Sequence, residues 1–236
     1  MKKRRRGSLI IITVIFIIVV YFIISHFTAI DKMRYPIHGI DVSKHTGKVD
    51  FKKLKDKHEK KIGFVYIKAS EGRRLVDNKF ETNYINARKN KIPTGAYHFF
   101  RFNVTGKEQA ENFLRCIRGK KFDLPLVLDV EEWKNYRGTE ASVIISEIRS
   151  FVKIVEKRRG GKIVFYTNES GYYKYIHNNF DRKIWICSFN RKPEIGGDWV
   201  FWQYSHTTKL HGADGWIDMN AFRGSKEDWK EFLEEN

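Results

Sequence analysis

The segment P-L-V-L-D-V-E-E-W, residues 125–133, ends an apolar, strand-like run with carboxylates. Asp129 and Glu131 are two positions apart, so on an extended chain both side chains point to the same face, about 7 Å apart. Two carboxyls in one pocket titrate unequally, because ionising one disfavours ionising the other. One acid can then stay protonated near neutral pH while the other is ionised, as glycoside hydrolysis requires. Glu132 points to the opposite face and is predicted to be structural.

Polar side chains also stand at or near the ends of other apolar runs. They are Asp41, Glu71, His98, Tyr166, Gln203 and Asp218. An Asp at the end of a strand is often only a helix cap or a turn former. In barrels of parallel strands, however, the active site lies at the carboxyl ends of the strands. The repeated occurrence of polar residues at these ends therefore predicts an active site.

Aromatic residues near these positions could provide faces on which sugar rings stack. The candidates are Tyr97, Phe99, Trp133, Tyr166, Trp185 and Trp202. Because aromatic residues on barrel strands more often pack in the core, only those at strand ends are candidates for ligand binding.

Other chemistries lack their motifs. The sequence contains neither G-x-S-x-G, which would indicate a serine nucleophile, nor H-E-x-x-H, which would indicate zinc. A magnesium site on the same carboxylates would normally accompany phosphate-binding features, which are also missing. Cys116 and Cys187 form no C-x-x-C pattern, and the sequence does not tell whether they pair. We therefore expect no cofactor and no metal.

The spacing of apolar residues predicts eight strands and five helices that would position these side chains. The strands are expected near residues 37–42, 63–69, 95–100, 125–130, 162–167, 183–188, 199–204 and 216–221. The helices are expected near residues 50–60, 78–91, 105–119, 139–159 and 169–178. Thr105 and Glu108 form the pattern of a capping box at the third helix.

Five alternations of strand and helix followed by three strands predict an α/β fold, a TIM-like parallel barrel whose last third lacks outer helices. After the sixth strand the gaps are too short for connecting helices, so we expect loops there. An open doubly wound sheet is the competing architecture, but it usually has G-x-G-x-x-G after the first strand, and that motif is absent. No linker or repeat divides residues 31–236, which predicts one barrel domain.

Residues 1–30 predict a basic cytoplasmic tail and a transmembrane signal-anchor. Residues 2–6 are all Lys or Arg, and residues 9–24 form an apolar run close to the roughly 20 residues that span a bilayer. Basic residues beside a membrane segment stay in the cytoplasm, so we expect a single-pass protein of the cell membrane with its catalytic domain outside. Secretion after signal cleavage is the alternative. The formal net charge of +17 suits a polyanionic partner such as an acidic cell-wall polymer.

Seven short motifs follow one another along the chain. They are H-G-I-D-V-S from residue 38, F-V-Y-I-K-A-S-E-G from 64, P-T-G-A-Y-H-F-F from 93, P-L-V-L-D-V-E from 125, V-F-Y-T-N from 164, F-W-Q-Y-S from 201 and D-M-N-A-F from 218. Through them the sequence resembles the glycoside hydrolase family 25 lysozymes, or Chalaropsis-type muramidases, from about His38 to Phe222. Each motif alone is weak, but seven in the family's order are specific. One departure is S-K-H-T-G after the first motif, where many members have a Gln near the Ser.

The resemblance implies a flattened barrel of five β/α units and three further strands that cleaves the β-1,4 bond between N-acetylmuramic acid and N-acetylglucosamine in peptidoglycan. It implies that Glu131 donates a proton to the leaving oxygen and that Asp129 orients or charges the substrate acetamide. Asp41 and Asp218 are then the flanking acids. The predicted substrate-binding residues are Tyr97, Tyr166 and Gln203, which fall where the family lines its groove, together with Glu71, His98 and Trp185.

Two alternative functions stay open from the sequence. One is a catalytically weak peptidoglycan-binding module, and the other is a glycosidase of the same fold that acts on another acetamido-sugar polymer such as chitin. The nucleophile is also open between the substrate's acetamide and a carboxylate. The expected partners are peptidoglycan glycan strands and, through the N-terminal segment, the membrane. We expect no nucleic acid partner and a monomer.

Overall fold

The structure, a computed structural model, describes residues 12–22, 34–57, 62–133, 135, 138–189, 191–196 and 199–235. Residues 12–22, from the predicted membrane segment, are helical. Across the described ranges, no helix is both long enough and apolar enough to cross a membrane. The rest of the predicted segment 1–30 lies outside the described residues.

Within the described residues, nine strands form one sheet. They are β1 (His38–Val42), β2 (Ile62–Glu71), β3 (Leu75–Val76), β4 (Thr94–Phe99), β5 (Val127–Asp129), β6 (Val164–Asn168), β7 (Ile184–Cys187), β8 (Trp199–Thr208) and β9 (Ile217–Phe222). The strand order is β1-β9-β8-β7-β6-β5-β4-β2-β3, and β1 also pairs with β2. This extra pairing closes eight strands into a barrel and leaves β3 as an additional strand on β2. The predicted α/β barrel is confirmed.

Helices follow the early strands, as the alternation predicts. In the described chain after residue 34 they are α1 (Phe51–Lys57), α2 (Phe80–Lys89), α3 (Gly106–Cys116), α4 (Ala141–Arg159), α5 (Glu169–Gly171), which continues as a π-helical turn over Tyr172–Ile176, and α6 (Lys226–Glu234). Thr105 is the N-cap of α3 as predicted, since its side chain accepts a hydrogen bond from the backbone N–H of Glu108 at 3.3 Å.

Three features of the fold differ from the prediction. β9 is antiparallel to both of its neighbours, β8 and β1, whereas a fully parallel barrel was expected. The chain between β8 and β9 is shorter than the dozen or more residues that a parallel crossover needs, so an antiparallel return is the available geometry. The two-residue strand β3 is too short to produce an alternating pattern. Helix α6 begins with a capping box of Ser225 and Asp228, a sequence signal that the prediction missed.

Aromatic rings fill the interior of the barrel below its carboxyl end. Phe64, Tyr66, Phe201 and their neighbours form one buried cluster. Trp229 and Phe232 of α6 join this cluster and contact Phe201. Because these contacts lie toward the amino ends of the parallel strands, α6 closes that end of the barrel and leaves the carboxyl end for polar residues.

Inward-facing glycines make room for the largest of these rings. Gly39 of β1 faces the ring of Phe64, and Gly95 of β4 faces the ring of Tyr66. A Cβ atom at either glycine would collide with the ring beside it. The H-G-I-D and P-T-G-A-Y motifs therefore carry glycine for packing inside the barrel.

Candidate active site

Polar side chains occupy the carboxyl end of the barrel interior. Side chains alternate along each strand, and the inward positions there belong to Asp41 of β1, Lys68 of β2, Tyr97 of β4, Asp129 of β5, Tyr166 of β6, Gln203 of β8, and Asp218 and Asn220 of β9. The strand register places Asp41 beside Asp218 and Asp129 beside Tyr166. Since β9 is antiparallel, its first residues lie at the same end as the carboxyl ends of the parallel strands, which brings Asp218 into the site.

A hydrogen-bonded network holds Asp41 in place. Its Oδ2 accepts hydrogen bonds from Gln203 Nε2 at 2.8 Å and from Asn220 Nδ2 at 2.9 Å. The orientation of each amide is set from its other side. Tyr166 OH donates to Gln203 Oε1 at 2.8 Å, and Trp185 Nε1 donates to Asn220 Oδ1 at 2.8 Å. Asp41 is therefore fixed by two amides that cannot flip without losing a buried hydrogen bond.

Asp41 and Asp218 are hydrogen-bonded to each other through their carboxyls. Burial raises the pKa of Asp218 to about 9, and the neighbouring charge of Asp41 and the hydrogen bond between the two carboxyls add to the rise. Burial also raises the pKa of Asp41, but hydrogen bonds from Asn220, Gln203 and Asp218 oppose that effect. The net pKa of Asp41 is still raised, so burial disfavours the charged form of both carboxyls, and Asp218 is the one held protonated at neutral pH.

Asp129 and Glu131 lie at the end of β5. Burial raises the pKa of Glu131 to about 7, while the positive charge of Lys68 lowers it. Burial raises the pKa of Asp129 well above its ordinary value, and the charge of Glu131 adds to the rise. Asp129 Oδ1 is buried and has no hydrogen-bond partner in the described part of the chain. An acid with a pKa near neutrality thus stands beside a buried carboxyl oxygen that has no hydrogen-bond partner among the described residues.

Lys68 is a residue of this site that the sequence prediction missed. Its side chain is nearly buried, and its Nζ donates to Glu71 Oε2 at 2.7 Å. Glu71 Oε1 also accepts a hydrogen bond from Arg101 Nε at 3.0 Å. Burial raises the pKa of Glu71, but Lys68 and Arg101 outweigh that effect, so the pKa lies below its ordinary value. A lysine at an inward position of an otherwise apolar strand was the available signal, as was Asn220 two residues after Asp218.

His98, which the sequence predicts to bind substrate, lies on the outer face of its strand and away from the groove. Tyr97 and Phe99 face the interior of the barrel, which turns His98 outward beneath the helices, where it is 0% exposed. Its Nδ1 lies 2.8 Å from Ser70 Oγ, and its Nε2 lies 3.3 Å from Gln109 Oε1. Burial lowers the pKa of His98 to about 3, so the ring is neutral and joins strand β4 to helix α3.

Trp185, the other predicted substrate-binding residue that is fully buried, faces the interior of the barrel. It is 1% exposed and stacks on Tyr66, with 4.7 Å between the ring centres. It lies below the polar residues, donates a hydrogen bond to Asn220 and packs edge-on against the ring of Tyr166, with 4.8 Å between ring centres. The ring of Trp185 therefore presents no face to solvent in this structure, which places it beneath the groove.

Two further expectations concern residues outside the groove. Glu132 is structural, as predicted, since its Oε1 accepts hydrogen bonds from Lys174 Nζ at 2.6 Å and from Tyr175 OH at 2.8 Å. Cys116 and Cys187, whose pairing was left open, are both free thiols.

Comparison with known proteins defines the class to which this barrel and site belong. The family model for glycosyl hydrolases family 25 matches residues 40–213. The chain is 34% identical over 206 residues to the uncharacterized protein YegX of Escherichia coli K12, which covers 85% of this chain and 74% of that protein. It is 33% identical over 204 residues to lysozyme M1 of Streptomyces globisporus, covering 80% of this chain and 68% of that protein.

A solved structure has the same fold. The family 25 glycosyl hydrolase from Bacillus anthracis superposes with a TM-score of 0.77 at 34% identity, covering 84% of this chain and 94% of that chain. The chain therefore belongs to glycosyl hydrolase family 25, and it is a glycoside hydrolase.

Proposed function

We propose that this chain is a lysozyme that cleaves the β-1,4 bond between N-acetylmuramic acid and N-acetylglucosamine in peptidoglycan, with Glu131 as the proton donor. Peptidoglycan hydrolysis follows from membership of the family. Relatives of this chain include lysozyme M1 and an N,O-diacetylmuramidase. The observation that carries the role of Glu131 is its partly buried carboxyl at the end of β5, with a pKa of about 7. A general acid works best when its pKa lies near the working pH, because it is then protonated and still a strong enough acid.

Asp129 holds the acetamide of the substrate in this mechanism. Its buried Oδ1 has no partner among the described side chains and backbone groups, so it can accept a hydrogen bond from the acetamide N–H. Glu131 protonates the leaving oxygen as its bond to the anomeric carbon breaks. The acetamide oxygen attacks that carbon, and the side chain of Asp129 stabilises the positive charge that develops on the acetamide. If a side chain of the protein, and not the acetamide, is the nucleophile, Asp41 is the candidate, because Gln203 and Asn220 hold it in place.

The alternatives raised by the sequence are not favoured. A catalytically weak binding module would be expected to lack one of the carboxyls at the end of β5, and both Asp129 and Glu131 are present. A chitin-cleaving enzyme of the same fold finds no support among the relatives, several of which are lysozymes or muramidases by name.

The decisive experiment on this function is digestion of purified peptidoglycan, followed by mass spectrometry of the new reducing ends. Cleavage as proposed leaves N-acetylmuramic acid at those ends. New ends of N-acetylglucosamine would contradict the bond assignment, and cleavage of chitin oligomers with peptidoglycan left intact would contradict the substrate.

The N-terminal part is proposed as a separate unit, with residues 1–30 as tail and membrane anchor and residues 31–236 as the hydrolase domain. The basic residues 2–6 ahead of the apolar run 9–24 support an orientation with the barrel outside the cytoplasm. Fractionation of cells that produce the full chain tests this arrangement. We expect the protein in the membrane fraction with its N-terminus retained, and a soluble chain that begins near residue 30 would contradict the anchor.

A further inference from the structure

A cavity of about 700 Å³ opens beside the carboxyl end of the barrel, between the β2–β3 hairpin and the loops that follow β4 and β5. It is lined by Glu71, Gly72, Arg73, Arg74, Leu75, Arg101, Asn103, Val104 and Asn135, and is called the arginine cavity below. Its volume lies within the range of roughly 300–1,000 Å³ that is typical of small-molecule sites. Asn135 joins it to the active site, because Asn135 Nδ2 donates to the backbone oxygen of Glu131 at 3.1 Å.

The arginine cavity carries a surplus of positive charge. Its one lining carboxylate, Glu71, is already bridged by Lys68 and Arg101. Arg73 pairs with Glu108 at 2.9 Å, but Arg73 is exposed and Glu108 is partly exposed, so solvent weakens the pair. Arg74 is exposed and forms no ion pair with any carboxylate of the described residues. Two guanidinium groups are therefore available to an anion at little cost.

The hairpin that carries these arginines is fastened to the body of the protein. Asn112 of α3 is fully buried, and its Nδ2 donates to the backbone oxygens of Gly72 at 2.9 Å and Leu75 at 3.1 Å. Gly72 has a positive φ of 52° and lies against Arg101, a backbone conformation that favours glycine. A fixed hairpin presents its side chains with less loss of entropy on binding than a free loop would.

We propose that the arginine cavity binds the carboxylates of the peptide stems that peptidoglycan carries on the lactyl groups of its muramic acid. The inference deepens the proposed function and rests on it. Arginine forks match carboxylates in geometry as well as charge. Leu75, which is 60% exposed at the same wall, supplies an apolar contact for the alanine methyl groups of such a stem. Because the cavity adjoins the segment of Glu131, a stem bound there positions the muramic acid to which it is attached.

The test compares the double variant Arg73→Gln/Arg74→Gln with the wild type on two phosphate-free substrates. One is peptidoglycan with its stems intact, and the other is glycan from which an amidase has removed the stems. We expect KM on the stem-bearing substrate to rise roughly fivefold to twentyfold with kcat nearly unchanged, and activity on the bare glycan to stay the same. The matched control is Lys157→Gln/Arg158→Gln, which removes two exposed charges from the last turn of α4. We expect its KM and kcat to equal those of the wild type on both substrates.

The possible outcomes distinguish failure of the proposed stem-binding site from failure of the proposed lysozyme activity. If the arginine variant cleaves the stem-bearing substrate with wild-type KM, the stem site is wrong while the lysozyme assignment stands. A third substrate, wall material that retains its phosphate-containing polymers, separates the two anions. If KM of the arginine variant rises on that material and on neither phosphate-free substrate, the arginines bind phosphate and the inference is overturned. If the control weakens activity as much as the arginine variant, general charge attraction accounts for the effect. A wild type inactive on both substrates contradicts the proposed function itself.

Discussion

The pKa of Glu131 is set by two opposing effects. Burial favours the protonated carboxyl and raises the pKa to about 7, while the ammonium group of Lys68 stabilises the carboxylate and limits the rise. An acid in this position is protonated in about half of the molecules at neutral pH. Lys68 therefore tunes the acid through its charge, and its own position is held by the hydrogen bond to Glu71.

The first prediction concerns the pH dependence of activity. Because Glu131 must be protonated to act, we expect kcat/KM on purified peptidoglycan to fall as the pH rises through about 7. Lys68→Met removes the charge that lowers the pKa, so the fall should move to higher pH. Circular dichroism of the variant serves as the folding control. A fall centred near the ordinary carboxyl value, or a shift of the Lys68→Met profile to lower pH, would count against this account.

A second prediction tests the acetamide role of Asp129. Asp129→Asn preserves the shape of the side chain but cannot carry a negative charge, which is needed most as the sugar becomes positive. We expect kcat to fall by about 10²–10³ while KM changes little. The measurement is steady-state kinetics on soluble glycan fragments. An increase in KM with kcat unchanged would assign Asp129 to ground-state binding alone.

At the scale of elements, the last part of the chain has two separate roles: the antiparallel strand β9 contributes active-site residues, and the helix α6 contributes to the core. β9 brings Asp218 and Asn220 to the active-site end, where both contact Asp41. Helix α6 closes the opposite end with Trp229, which contacts Phe64 with 5.4 Å between ring centres. The helix is thus expected to matter for stability and to have no direct effect on the chemistry.

The third prediction follows from this division. Trp229→Ala leaves a cavity at the closed end of the barrel and is expected to lower the free energy of unfolding by about 3–5 kcal/mol. Lys230→Ala, on the exposed face of the same helix, should change it by less than about 0.5 kcal/mol. Urea denaturation measures both. Equal stability of the two variants would show that α6 is not part of the core, and a change of KM in folded Trp229→Ala would link the helix to the groove.

For the whole molecule, the alternation of strands and helices was enough to predict the barrel and the end at which its polar residues gather. It was not enough to tell which of two neighbouring residues faces the groove, so His98 was chosen together with Tyr97, although adjacent strand residues face opposite sides. The depth of Trp185 in the barrel was also hidden, because it depends on rings from several distant strands. The antiparallel direction of β9 follows from the short loop between β8 and β9. The prediction used the short loops only to exclude helices and did not use them to set the direction of the strand.

The central claim is that turnover depends on one acid, Glu131, at the carboxyl end of the barrel. It is tested most directly by the turnover number of Glu131→Gln on purified peptidoglycan, with Glu132→Gln as the matched control. We predict a loss of about 10²–10⁴ for Glu131→Gln with folding and wall binding intact, since an amide cannot donate the proton. Glu132→Gln should stay close to wild type, because Glu132 contacts Lys174 and Tyr175 away from the groove. A Glu131→Gln enzyme within threefold of wild type would contradict the account.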